Sequence, residues 1–437
     1  MAQAPSESCG RIAPPRFPYS RSQPLRIFPT SDPAHSALGV LALCLLLNLI
    51  GRGAADTYVV FLLPLERDLG WSRSQMTSVY SVYLLLNGMA APLIGMLFDR
   101  VGPRVVYVSG LAVLGAAFLL ASRMDSLWHF YATIGVLTGF AVAALGMVPS
   151  SSLMARWFRE RLSTAMSIAF AGMGLGILLI VPATQFILSR LGWRETYQLL
   201  GLILLGAAVL LLLLPWKTIA EGHPDYRGSR RRSGAGERDW TLRQAMSTLN
   251  FWSLAWMFFF TSAGMFAVTV QLVVYLVEQG FSPLLAATVY GSASMLSVFG
   301  IVTTGAVADR LGARRTVTVT YVGSAIGILV LLAVSWQARA EWLILYVFAF
   351  GLFQGSRGPI ISSITTGLFA GSQVATIYGA IYACNALGAG LGALLAGVMH
   401  DFFDSYRPGF VFSILCLMVA GVPLWRVSGL RDFRSRR

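Results

Sequence analysis

Two arginines, Arg52 and Arg357, stand inside long apolar stretches of this chain. A charge near the centre of a hydrocarbon layer costs about 2.5–3.5 kcal/mol on insertion scales, so each needs a partner or a task. A guanidinium keeps its charge, and its planar fork can grip a carboxylate through two parallel hydrogen bonds. Asn48, Arg52 and Asp56 recur at every fourth residue and so share one helix face, while Gln354 and Arg357 share a face at spacing three. They form two candidate polar stripes, of residue types suited to binding a small anion. Asp56 is the one acidic residue expected inside a span, and it is the candidate proton carrier, released from Arg52 when an anion arrives there. The plainer reading stays open beside this one: Arg52 simply pairs with Asp56, and Arg357 ties helices together through backbone carbonyls.

The elements that must carry these residues are hydrophobic. With 56% hydrophobic residues, 12% charged residues and a mean hydropathy of +0.67, the composition excludes a soluble globule. A spanning helix needs roughly 20 mostly apolar residues, because the hydrocarbon offers the backbone no water. Twelve runs of that kind are expected, six within residues 37–215 and six within 251–427. Residues 1–36 read as a solvated tail, 216–250 as a linker loop carrying Arg230-Arg231-Arg232, and 428–437 as a short basic tail.

A formal net charge of +14 raises the question of nucleic acid, and the placement of the basic residues answers it. Lys and Arg crowd the loops on the side of both termini and thin out on the other side. That is the positive-inside pattern, and it predicts cytoplasmic termini and no nucleic-acid partner. The first apolar run is too long and too late for a cleaved leader. Cys9, Cys44, Cys384 and Cys416 lack ligand spacing, as do His35, His129, His223 and His400, so neither metal nor cofactor is expected, nor a catalytic group at a membrane face. The tails and linker are too short for the soluble output domain of a sensor.

The chain also repeats itself. Gly95-Met-Leu-Phe-Asp99-Arg100-Val-Gly102-Pro-Arg104 returns 210 positions later as Gly305-Ala-Val-Ala-Asp309-Arg310-Leu-Gly312-Ala-Arg314. Val79-Tyr80-Ser81 returns as Val289-Tyr290-Gly291 at the same offset. Further along the offset reads as 216, matching Gly135…Gly139 to Gly351…Gly355 and Gly172-Met-Gly174-Leu-Gly176 to Gly388-Ala-Gly390-Leu-Gly392. Two parallel membrane repeats point to a transporter with its site between the halves.

The doubled glycine-x-x-x-Asp-Arg-x-Gly-x-Arg element resembles the gate motif of the major facilitator superfamily, over about residues 37–427. Phe61-Leu-Leu-Pro64-Leu-Glu66, Leu69-Gly70-Trp71-Ser72, Arg156-Trp157-Phe158 and Gly192-Trp193-Arg194 look like its bacterial monocarboxylate-transporter and oxalate/formate-exchanger branches. The resemblance implies a fold of two six-helix bundles and a gate locked by the motif. It also implies a central cavity lined by the first, fourth, seventh and tenth helices. Arg52 and Arg357 then lie beside the cargo path, with Asn48, Gln354, Gln271, Tyr275, Tyr382 and Asn385 as further candidate ligands. The eighth run has no charge before its motif, and the eleventh has neither Lys nor Arg, where those branches commonly place charges. The expected activity is alternating-access transport of a small organic anion, foremost a monocarboxylate, by a monomer in a bacterial inner membrane. Proton symport and carboxylate exchange both stay open, with drug efflux a more distant reading.

Overall fold

In the computed structural model the described residues are 33–71, 73–158, 161–222 and 239–431. Of the expected tails and linker, residues 1–32, 223–238 with Arg230-Arg231-Arg232, and 432–437 lie outside them; helix Pro33–Asp56 begins within the expected first tail, and Trp216–Glu221, Leu242–Met246 and Ser428–Arg431 are helical stubs. All regular elements among these residues are helices.

Among the described residues eleven helices are long and apolar enough to cross a membrane. They are α1 (Ser36–Leu62), α2 (Ser78–Val101), α3 (Pro103–Ala121), α4 (Leu127–Trp157), α5 (Leu162–Leu191), α6 (Trp193–Leu212), α7 (Leu249–Glu278), α8 (Thr288–Leu311), α9 (Ala313–Val334), α11 (Val374–His400) and α12 (Arg407–Arg426). The tenth expected run, α10 (340–368), is interrupted. Its shorter apolar part, Ala340–Gly351, ends in a π-helical stretch, the chain turns through 352–356, and Arg357–Leu368 resumes the helix. Its partner by repeat, α4, also contains a π-helical stretch, Tyr131–Leu137, and breaks at Gly146.

The gate-motif glycines make the turns possible. Gly102 joins α2 to α3 at φ 82°, and Gly312 joins α8 to α9 at φ 93°, backbone conformations that a Cβ disfavours. Within the first six helices α1 packs on α5 and α3 on α6; within the second six, α7 packs on α11. The two sets meet along α2 against α11 and α5 against α8.

The packing corrects the register of the repeat. Gly139 abuts the Tyr83 carbonyl and Gly351 the Ala293 carbonyl, so Gly351 answers to Gly139 and not to Gly135. Likewise Gly176 rests on the Leu49 carbonyl and Gly388 on that of Phe259. The offset is 210 for α1/α7 and α2/α8 but 212 for α4/α10 and α5/α11, not 216. A slip of four residues is about one helical turn and returns the same face, so a glycine-every-second-residue pattern cannot detect it.

Candidate functional site

At the gate-motif end the halves are tied symmetrically. Asp99 accepts from the backbone N–H of Ala375 (3.3 Å) and Thr376 (2.8 Å) and from the Thr376 hydroxyl (2.7 Å), at the first turn of α11. Asp309 accepts from Ser163 N (3.3 Å), Thr164 N (2.8 Å) and Thr164 Oγ1 (2.7 Å), at the first turn of α5. Each carboxylate thus satisfies donors that a helix start leaves unpaired, and it meets the positive end of the opposite half's helix dipole. Gly95 and Gly305 allow the approach: a Cβ on Gly95 would strike the Ala375 backbone, and one on Gly305 the Ser167 side chain. Arg100 and Arg310 stay exposed, and Arg314 lies over the Trp425 ring at 4.6 Å. Just beyond, Ser151 meets Ser362 at 3.2 Å and Ser163 meets Ser363 at 2.8 Å, again half to half.

Two cavities lie between the bundles and share Met147 and Tyr382 as walls. The N-terminal one, about 40 Å³, is lined by Asn48, Arg52, Asn87, Val142, Leu145 and Met173 among others. The C-terminal one, about 160 Å³, is lined by Phe258, Ser262, Phe266, Gln354, Arg357 and Asn385 among others. The helix breaks at Gly146 and 352–356 adjoin these spaces, where irregular backbone is tolerated at membrane depth.

The two arginines differ sharply. Arg52 Nε donates to Asp56 Oδ2 at 2.6 Å, and the Tyr80 hydroxyl donates to Asp56 Oδ1 at 2.8 Å. Arg357 is fully buried, with no carboxylate within ion-pair distance among the described residues. Its Nε donates to Thr320 Oγ1 (3.3 Å) and its Nη2 to the Thr320 carbonyl (3.0 Å) and the Ser324 hydroxyl, all on α9, and the guanidinium lies over the Tyr321 ring at 4.8 Å. Nη1 is buried without a partner. Part of the side chain therefore ties α10 to α9, and one donor remains for a ligand.

The other expected ligands divide. Asn48 donates to the Cys44 carbonyl (2.8 Å) and Ser150 Oγ (2.9 Å), leaving its buried Oδ1 unpaired. Asn385 Oδ1 accepts from the Ser262 hydroxyl, which leaves its amide N–H groups as donors. Gln354 and Tyr382 line the C-terminal cavity. Gln271 and Tyr275 line neither cavity: Gln271 sits where α7 turns between Thr269 and Leu272, and Tyr275 donates to the Leu331 carbonyl at 2.6 Å and packs edge-on against Tyr406 and Phe410. Spacing alone could not separate a tyrosine facing the cavity from one facing a neighbouring helix. Sequence reasoning also missed Tyr80 and Ser262. Tyr80 lies in a repeated box, which was a signal, whereas Ser262 carried none.

Comparison with known proteins agrees with this architecture. The profile of the Major Facilitator Superfamily matches residues 41–340 and 297–435. Monocarboxylate transporter 12 of Homo sapiens is 24% identical over 409 residues, covering 88% of this chain and 79% of that protein. The uncharacterized MFS-type transporter YhjX of Escherichia coli is 25% identical, covering 78% and 82%. The solved structure of the proton:xylose symporter XylE superposes with a TM-score of 0.75 at 14% identity, covering 93% of this chain and 98% of that one, a likeness of fold. The chain belongs to the major facilitator superfamily and is a multi-pass membrane transporter resembling the monocarboxylate transporters, not an enzyme.

Proposed function

We propose that this protein carries a small organic anion, foremost a monocarboxylate, by alternating access, with α10 as the twelfth span and both termini cytoplasmic. The observation that carries this reading is Arg357: a buried, uncompensated guanidinium with an unpartnered Nη1, lining the roomier cavity. Such a charge is costly until an anion neutralises it. The N–H groups of Asn385 and Gln354 supply further donors, while Phe258, Met265, Phe266 and Ile361 give the cargo's carbon chain an apolar wall. The names of the monocarboxylate transporters among its relatives support the same cargo class.

The gate-motif end is the cytoplasmic end, closed here, so the conformer is the one that loads from outside. Asp56 is the proton-coupling group, held between Arg52 and Tyr80, with Tyr83 and Tyr382 near the same arginine. Cargo binds at Arg357 first, while Asp56 is still ionised against Arg52; Asp56 then takes its proton, and the gate opens when the halves rock about the loaded site. The protein works as a monomer in a bacterial inner membrane, without cofactor or metal. Exchange of carboxylates without protons is the second reading, favoured by Asp56 having both oxygens already engaged.

The test is uptake of labelled small carboxylates by proteoliposomes, with and without an inward proton gradient. Gradient-driven uptake that Arg357→Ala lowers tenfold or more, roughly one charge-assisted hydrogen bond, supports symport through this site. Counterflow indifferent to the gradient supports exchange, and full uptake by Arg357→Ala sinks the anchor.

A further inference from the structure

Arg52 lines the N-terminal cavity as its one charged residue among those described. Its charge is held in check from behind. The Arg52 side chain is 32% exposed and that of Asp56 only 9%, so the guanidinium forms the wall while the carboxylate lies behind it. Tyr80 secures the second carboxylate oxygen, which keeps Asp56 in place against Arg52. Met147 and Tyr382 line both this cavity and that of Arg357, so the two spaces adjoin.

We propose that Arg52 is a second anion subsite masked by Asp56, and that this mask confines the cargo to one anionic group. This rests on Arg357 being the anion anchor. With the mask on, the two adjoining cavities carry one uncompensated positive charge. A dicarboxylate then strands its second carboxylate in a desolvated space with no cation to meet it, and a monocarboxylate does not. With the mask off, a free guanidinium stands in each of the two adjoining cavities, one for each end of a dicarboxylate. Asp56 is thereby a specificity-determining residue that acts through Arg52, without touching the cargo. No carboxylate lines either cavity among the described residues, so no group on the walls supplies the same restriction.

The experiment measures binding of matched labelled pairs, propionate with malonate and butyrate with succinate, to the purified full-length protein. Wild type, Asp56→Asn, Arg52→Gln/Asp56→Asn and Arg357→Ala are compared, with thermal unfolding as the check on folding. Asp56→Ser replaces Asp56→Asn should the amide variant not fold. The ratio of dicarboxylate to monocarboxylate affinity is expected to rise roughly tenfold or more when Asp56 is neutralised, and to fall back when Arg52 is removed as well. An unchanged ratio in the folded single variant overturns the mask, as does a rise that persists without Arg52, or a wild type that binds both classes equally. A folded Asp56 variant that binds neither class overturns it too, because Asp56 would then be a ligand. Full binding by Arg357→Ala, or a wild type that binds none of the four acids, instead overturns the anchor reading beneath.

Discussion

The two halves are alike at the gate-motif end and unlike at the midplane. At the gate the same carboxylate takes the same three donors at the same distances in each half. At the cavities the corrected register sets Asn48 and Arg52 opposite Phe258 and Ser262, and Val142, Leu145 and Met173 opposite Gln354, Arg357 and Asn385. The cavity arginine sits on α1 in the first half but on α10 in the second. Duplicated structure was kept where both halves perform the same closure. On the proposed function it diverged where one small ligand would be held in a single orientation, since an asymmetric cargo cannot satisfy two identical half-sites at once.

That contrast can be broken by substitutions at paired positions. The largest effect is expected at the midplane: Arg357→Ala lowers carboxylate affinity roughly tenfold or more, whereas Leu145→Ala at the counterpart position changes it less than threefold, both read by ligand binding. Equal losses would mean that the halves share the anion after all. Next come the close contacts. Gly95→Ala drives a methyl into Ala375 backbone, which cannot yield, and Gly305→Ala meets the Ser167 side chain as well as the Ser163 carbonyl. Both should loosen closure, Gly95→Ala the more, by about 1–3 kcal/mol as for an overpacked core. Labelling of a cysteine placed at Ser362 reports the opening.

A smaller and matched effect is expected from Asp99→Asn and Asp309→Asn. Each weakens one helix-start contact by about 0.5–2 kcal/mol, and the shifts in labelling should agree within a factor of about two. Unequal shifts would show that the gate is less symmetric in energy than in geometry. The smallest effect belongs to Ser151→Ala, which removes one hydroxyl contact between halves, about 0.5–1.5 kcal/mol.

Much of the fold was legible because hydrophobic length and a doubled motif are local signals. Asp99 and Asp309 announced themselves by residue type, spacing and context, and each does face a helix start in the other half. Arg357 was legible as a charge in an apolar run, though the break at 352–356 that precedes it was not, since no proline or charge marks those residues. Tyr275 shows the limit most clearly. It is a polar aromatic on a cavity-lining helix, yet its hydroxyl is taken by a neighbouring helix's carbonyl.

The sequence by itself determined that the chain spans a membrane, that it is a duplication, and that two guanidiniums stand inside apolar runs, where each needs a partner. Those conclusions follow from composition and spacing, which a linear chain displays in full. Only the tertiary structure decided which arginine is already paired, which face each polar residue presents, and that the later helices align at 212 and not 216. Those depend on contacts between residues far apart in the chain, and a slip of four residues, about one helical turn, leaves the sequence pattern nearly unchanged while it moves every side chain about 6 Å along the axis.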